Sequence, residues 1–290
     1  MPPKTAPTLE PIDLPFDEAM DALLDAPKEK EVVPFPVQKD SKISPWLGKI
    51  HFGDCIGIMN QIPEESVDLV VTSPPYNIKN SSGNGLKNGS GGKWENAALI
   101  KGYNVHDDNM PHEKYVEWQR DCLRAMMRVL KNDGAIFYNH KWRVQNGLLQ
   151  DRSDILEGFP VRQIIIWKRK GGINFNPGYF LPTYEVIYVI TKPDFKLAKG
   201  ANKMGDVWEI PQTRGIDHPA PFPVELAQRC CEASDGPIVL DPFMGSGSTA
   251  IAASMLGKQW IGIDISLDYC ELAKSRIEEH SYKAKIQKHE

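Results

Sequence analysis

The sequence predicts an α/β fold with a mostly parallel, twisted sheet and helices on both faces. Three observations carry this. Short apolar runs of strand length recur at 66–71, 135–138, 161–167, 184–190, 237–240 and 259–265. Segments with apolar residues at helical spacing lie among them, at 112–130, 223–233, 248–256 and 267–280. The run at 66–71, SVDLVV, lacks the polar alternation of a half-exposed strand and so reads as buried on both faces. Strand and helix alternating in this way stack as layers on a parallel sheet.

Residues 1–44 read as a flexible, proline-rich appendage. Pro2, Pro3, Pro7, Pro11, Pro15, Pro27, Pro34 and Pro36 interrupt any long element. Only 17–24, where Met20, Leu23 and Leu24 share a face, has helical spacing. The body is expected over 45–284, with a short tail at 285–290. Residues 79–110 carry Gly83, Gly85, Gly89, Gly91 and Gly92 among Ser, Asn and Lys. So long a glycine-rich loop inside a domain is usually functional or mobile, and the expectation is a lid over a site, plain disorder being the alternative. The helix at 112–130 repeats Tyr115, Trp118, Cys122, Met126 and Val129 at helical spacing and should stop at Asn132-Asp133-Gly134. The strand at 161–167 runs into Lys168-Arg169-Lys170-Gly171-Gly172, and the strand at 184–190 closes at Lys192-Pro193. Residues 194–217 are polar and read as lightly structured. The helix at 248–256 and the strand at 259–265 complete a β-loop-α-β unit before the last helix.

The formal net charge of −4 argues for local rather than global basic surface if the partner is a polyanion. Five cysteines, Cys55, Cys122, Cys230, Cys231 and Cys270, form no C-x-x-C pair, so reduced thiols are expected rather than a disulfide framework or a metal site. No apolar run approaches the length of a membrane span and no charged-then-apolar leader opens the chain. The expectation is a cytoplasmic protein, without a membrane partner.

Two stretches carry chemistry. The first is Asp241-Pro242-Phe243-Met244-Gly245-Ser246-Gly247-Ser248-Thr249, an acid ending a buried strand, then a glycine-rich turn opening a helix. Glycines permit positive φ and close approach of a ligand to the main chain, and in open parallel sheets such a turn is a nucleotide site. The turn is not the dinucleotide fingerprint, because an acid precedes the glycines where a pyrophosphate would lie. A carboxylate there favours a cationic ammonium, which suggests a nucleoside bearing an amino acid. Asp264, at the end of the following strand, is placed to accept hydrogen bonds from ribose hydroxyls.

The second stretch is Thr72-Ser73-Pro74-Pro75-Tyr76-Asn77 at the carboxyl end of the 66–71 strand. Two prolines fix the backbone and remove its donors. The Ser73 hydroxyl, the Pro74 carbonyl and the Tyr76 ring remain, a set suited to a flat group with an NH2: two acceptors for the amino hydrogens and a ring to stack on. Holding both hydrogens frees the nitrogen lone pair for in-line attack on a sulfonium methyl, and the rest is positioning.

Together, Ser73-Pro74-Pro75-Tyr76 and the turn from Asp241 to Gly247 resemble the amino-methyltransferases of bacterial and phage DNA modification. The catalytic motif precedes the cofactor motif, as in their permuted beta group, and the resemblance covers about residues 50–280. It implies a Rossmann-like methyltransferase fold with circularly permuted motif order, S-adenosyl-L-methionine as cofactor, double-stranded DNA as substrate, and a base flipped out of the stack. It also implies that Asp54, in Gly53-Asp54, contacts the cofactor adenine, that His218, in His218-Pro219, precedes the helix lining the methionine pocket, and that Tyr179 and Phe180 help hold the base. Ser at the first motif position is more usual among N4-cytosine enzymes, so N4-cytosine is the preferred target and N6-adenine the alternative. C5-cytosine chemistry would need a cysteine in the Pro-Pro motif, and none is there. RNA or protein-glutamine methylation is a more distant alternative. A homodimer and a cognate restriction endonuclease are the partners the resemblance suggests, in a prokaryotic or phage-encoded, nucleoid-associated protein.

The segment that usually reads the target sequence is short here, about 194–217. DNA contacts are therefore expected from Lys79, Lys93 and Trp94 in the glycine-rich loop, from Lys168, Arg169 and Lys170, and from Tyr179. Basic clusters of this kind contact phosphates more than bases, and a solvated surface is the plain alternative.

Overall fold

The apolar runs of the sequence become neighbouring strands of one sheet in a computed structural model. It describes residues 41–77, 105–145, 148–169, 177–213 and 222–287, all within the unit spanning Pro34–Glu290. In chain order these residues form β1 (Lys49–Phe52), α1 (Cys55–Met59), β2 (Val67–Thr72), α2 (His112–Val129), β3 (Leu130–His140), the hairpin β4 (Arg143–Gln145) and β5 (Leu148–Gln150), and α3 (Ser153–Leu156). Next come β6 (Val161–Lys168), β7 (Tyr184–Thr191), β8 (Val207–Glu209), α4 (Val224–Glu232), β9 (Ile238–Asp241), α5 (Ser248–Met255), β10 (Gln259–Asp264) and α6 (Leu267–Gln287).

Among the described residues the main sheet has eight strands in the order β1-β10-β9-β2-β3-β7-β6-β8. Every neighbouring pair is parallel except the two that involve β7, so β7 alone runs against the rest. Helices cover both faces. Val70, Ile136, Tyr138, Leu240 and Ile263 share one buried cluster with Met59 of α1 and Cys122, Leu123, Met126 and Val129 of α2. Leu69, Val71, Phe137 and Val239 belong to a second cluster, with Leu226, Ala227 and Cys230 of α4 and Ala252 and Ala253 of α5. The alternation along β2 thus feeds two cores, and each fully buried aliphatic side chain contributes roughly 1.5–3 kcal/mol by leaving water.

Register places the site. Val70 pairs with Leu240, Asp241 with Gly262, and Asp264 with Phe52. Because these strands are parallel, the residues after β1, β2, β9 and β10 all emerge along one rim.

Several elements differ from expectation. The helix at 112–130 ends at Val129, and the chain enters β3 at once instead of breaking at Asn132-Asp133-Gly134. Val67 pairs with Leu130 but Leu69 with Ala135, so the chain bulges there, and Gly134 is needed because a Cβ would meet the Asp68 carbonyl at 2.9 Å. Within the 194–217 segment, the described residues 194–213 are more ordered than their polarity suggests. Val207–Glu209 adds an edge strand to β6, and Phe195, Trp208 and Ile210 are buried in the second core. Ile43 already belongs to the first core, ahead of the expected start of the body at 45. The final helix continues to Gln287, into the expected tail. Residues 1–40, 78–104 and 288–290 lie outside the described residues, with most of the expected appendage and lid.

Candidate active site

The glycine-rich turn is shaped by its own backbone. Gly245 and Gly247 have φ of 50° and 81°. The Gly245 N–H donates to Asp264 Oδ2 at 2.8 Å, Gly247 N–H to the Met244 carbonyl at 2.9 Å, and Met244 N–H to the Ile263 carbonyl at 2.9 Å. Gly247 is the N-cap of α5, and a Cβ there would lie 3.0 Å from that of Ala273, so its missing side chain serves the packing of α6. From α6, Arg276 donates to the Ser246 carbonyl. Asp264 also accepts from the Ser266 N–H at 2.8 Å, so one carboxylate fastens two turns.

Asp241 is 5% exposed. It accepts from the Thr72 hydroxyl at 2.7 Å, the Thr249 hydroxyl at 2.6 Å and the Phe243 N–H at 3.1 Å. The protein thereby occupies its carboxylate, which joins the strand before the catalytic motif to the cofactor turn. Burial pushes its pKa up to about 6, against the pull of the Thr249 and Thr72 bonds. Burial raises Asp264 as well.

A cavity opens where the two turns meet. Its wall includes Gly53, Asp54, Ser73, Pro75, Pro242, Phe243, Gly245, Asp264 and Ser266. His106, Trp118 and Tyr269 complete an aromatic side, with the Trp118 and Phe243 rings edge to face at 5.7 Å and Trp118 tilted against His106 at 4.6 Å. Asp54 caps α1 by accepting from the Gly57 N–H at 2.8 Å.

The catalytic-side turn is braced from elsewhere in the fold. The Pro75 carbonyl accepts from the Tyr115 hydroxyl at 2.7 Å and from Gln119 at 3.3 Å, both on α2. Asn77, at φ 55°, exchanges two hydrogen bonds with the Met110 main chain. The Tyr76 ring packs on His140 with centroids 4.8 Å apart, and burial holds His140 well below its ordinary pKa, hence neutral. The Tyr76 hydroxyl lies 2.6 Å from Ser73 Oγ and donates to Glu185 Oε2 at 3.2 Å. The Asn139 amide donates to the Tyr76 hydroxyl at 2.6 Å, to Glu185 at 3.1 Å and to Ser73 at 3.3 Å. Arg169 closes the set with an ion pair to Glu185 at 3.1 Å, both side chains under a tenth exposed.

The fold thus brings Asp54, Ser73, Pro75, Pro242, Phe243, Gly245 and Asp264 to one cavity wall. Pro74 and Tyr76 belong to the same turn as Ser73. Asp241, Ser246, Gly247, Ser248 and Thr249 are buried in or beside the cofactor turn and are not among the residues lining that cavity. Lys168 pairs with Glu209 at 3.0 Å on the surface. Arg169 is turned inward onto Glu185, not outward as the basic run suggests, because a buried carboxylate draws a partner. Tyr179 lies partly exposed before β7. Lys79, Lys93, Trp94, Lys170 and His218 lie outside the described residues.

Comparison with known proteins decides the family. A family model described as DNA methylase, of the N6/N4 type, matches residues 67–275. The chain belongs to this family. A type II methyltransferase of Bacillus subtilis, M.BglII, is 31% identical over 270 residues, covering 78% of this chain and 68% of that one. M.HpaI of Haemophilus parainfluenzae is 29% identical over 251 residues, covering 78% and 72%. Among solved structures, TTHA0409 of Thermus thermophilus in complex with S-adenosyl-L-methionine shares 26% identity at TM-score 0.59, covering 80% of this chain and 93% of that one. The cytosine-N4-specific PvuII DNA methyltransferase, 17% identical at TM-score 0.62 over 80% and 89%, shares the fold. The Rossmann-like methyltransferase architecture expected from the sequence is therefore present. The protein is an S-adenosylmethionine-dependent DNA methyltransferase of the amino-nitrogen class.

The methyltransferase also has site residues that the motifs did not reveal. Trp118 reads as one more apolar position of α2, yet it lines the cavity. Glu185 left a usable signal: a lone carboxylate in the apolar run YEVIYVIT is costly to bury without a purpose. Asn139 gave none, since its role depends on pairing between distant strands.

Proposed function

We propose that this methyltransferase modifies the N4 amino group of a flipped cytosine in duplex DNA, with the N6 amino group of adenine as the alternative target. The observation that carries the reading is Ser73, whose residue lines the same cavity as the Gly245 turn and Asp264. A serine hydroxyl accepts one amino hydrogen and the Pro74 carbonyl accepts the other. With two acceptors fixed by the proline backbone, the nitrogen lone pair is presented rather than conjugated into the ring. Ser at this position is the feature that favours cytosine.

The cavity fits S-adenosylmethionine. It combines aromatic faces at Trp118 and Phe243, acids at Asp54 and Asp264, and a turn at Gly245 free of side chain. Asp264 and Asp54 would take the ribose and adenine edges, and Trp118 and Phe243 would give the flat ring an apolar wall. When bound, the cofactor supplies an electrophilic methyl carbon. Asp241 positions the turn from behind, and Tyr76 offers its ring to the base.

DNA contacts are proposed for Lys79, Lys93, Trp94, Lys168, Lys170 and Tyr179. The type II relatives support a role in restriction-modification, alongside a cognate endonuclease, in a bacterial cytoplasm. A homodimer is the proposed assembly, tested by sedimentation. The deciding experiment is mass spectrometry of nucleosides from DNA incubated with enzyme and cofactor. N4-methylcytosine is expected, and N6-methyladenine would move the assignment to adenine.

A further inference from the structure

Ser73 is a poor final base. A neutral hydroxyl that accepts a proton must pass one on at once, and the cavity side of the motif contains no carboxylate of its own. The structure contains one behind it. Ser73 Oγ and Tyr76 Oη are 2.6 Å apart, and Tyr76 Oη donates to Glu185 Oε2 at 3.2 Å. Asn139 touches all three oxygens from one side, at 3.3, 2.6 and 3.1 Å, and so fixes their spacing. A hydrogen-bonded chain therefore runs from the cavity wall to a buried carboxylate on β7.

We propose that Glu185 is the terminal proton acceptor of methyl transfer, reached from the target nitrogen through Ser73 and Tyr76. The proposal rests on the reading of Ser73 as the residue facing the amino group. As the nitrogen–carbon bond forms, the sulfur keeps the electron pair of the bond that breaks. One N–H proton moves to Ser73 Oγ, the Ser73 hydroxyl proton to Tyr76 Oη, and the Tyr76 phenol proton to Glu185 Oε2. Both hydroxyls are restored, Glu185 becomes a neutral acid, and its proton is lost to water before the next turnover. Glu185 touches neither base nor cofactor in this scheme; it is a positioning and proton-holding residue that acts through two others.

The groups around Glu185 suit the task. Arg169, after β6, pairs with Oε1 at 3.1 Å and leaves Oε2 to Tyr76 and Asn139. Lys141, after β3, is the second cation facing it. Arg169 and Lys141 both face Glu185 while its Oε2 is linked to the cavity through Tyr76; a purely structural acid would need only one partner and no such link. The sequence explains the need: the motif begins with Ser73 instead of an acid, so the carboxylate comes from another strand.

The test is single-turnover transfer of tritiated methyl to DNA from about pH 4 to 9, a range that reaches the ordinary carboxylate region, so that a proton acceptor shows as an acidic limb. Wild type should lose rate on the acid side. Glu185→Gln should be slower by about 100-fold at neutral pH and lack that limb, with cofactor affinity within about twofold. Glu185→Asp should recover part of the rate and the limb. Tyr76→Phe cuts the chain without stripping Arg169 of its partner, so it gives the same flattened profile even where Glu185→Gln fails to fold. A wild-type limb in Tyr76→Phe, or in folded Glu185→Gln, overturns the relay, as does a rate loss matched by lost cofactor affinity. Ser73→Ala run beside them separates the two claims. An unimpaired Ser73→Ala sinks the reading of Ser73, and an impaired Ser73→Ala with an unaltered Glu185→Gln profile sinks the relay alone.

Discussion

The cofactor turn and the catalytic turn follow adjacent parallel strands, yet they are held in opposite ways. Between Asp241 and Asp264 most bonds close within the segment, with Phe243 and Thr249 to Asp241, Gly247 to Met244 and Gly245 to Asp264, while Thr72 and Arg276 reach in from outside. The catalytic turn takes its support from afar. Tyr115 and Gln119 hold Pro75, Arg143 donates to the Asn77 carbonyl at 3.0 Å, and Asn139 and Glu185 hold Tyr76. A locally closed turn is specified by a short motif; a turn braced by four other elements exists only once the sheet has assembled. The binding half of the site should therefore answer to changes within its own motif, and the reacting half to changes anywhere along β3, β7 and α2.

The largest expected effect breaks the local turn. Gly245→Val places a β-branched residue at φ 50° and fills the cavity wall, so cofactor affinity measured by calorimetry should fall by roughly 1000-fold. Ser73→Ala should leave that affinity within about twofold and lower the single-turnover rate about 100-fold. Equal loss of affinity in both variants would erase the distinction between the halves.

Next is Asp241→Asn, which sharpens the contrast through pH. Burial raises the folded pKa of Asp241 from 3.8 to about 6. The folded state then binds more protons than the unfolded state in that window, so stability falls as pH rises through it and the penalty is complete above it. The shift corresponds to about 3 kcal/mol. Denaturant melts without cofactor should show the unfolding free energy of wild type falling, relative to Asp241→Asn, by that amount between about pH 4 and pH 7. A constant difference across that range would mean that the Thr72 and Thr249 hydroxyls fully offset the burial. The smallest effect is expected for Lys168→Ala, whose ion pair with Glu209 is half exposed on both sides. Stability should change by less than about 1 kcal/mol, while a role in DNA binding would appear as a shallower dependence of affinity on salt.

The same division explains what was legible in the sequence. The strand–turn–helix at 238–249 and the strand at 259–265 could be placed from composition because their contacts are near in the chain, and the acids Asp241 and Asp264 stood out beside the glycines. Parallel order and burial on both faces followed from the uninterrupted apolar run of β2. The edge strand Val207–Glu209 was missed because three residues with alternating exposure carry little periodic signal, and its stability comes from Trp208 packing under the sheet. The Arg169–Glu185 pair was misleading in the sequence. Arg169 belongs to a basic run of the kind that contacts phosphates, and only the antiparallel return of β7 beside β6 shows that its partner is internal.

The bond between Thr72 and Asp241 spans 169 positions of chain but only the gap between two neighbouring strands. Gene order is therefore free to vary around this centre: whichever motif is translated first, the finished sheet seats both next to each other. It also means that the two halves cannot drift independently. A replacement at 72 that loses its hydroxyl asks for an answering change at 241, so an enzyme split into two polypeptides between these strands would be expected to reassemble through this contact and regain its activity on mixing.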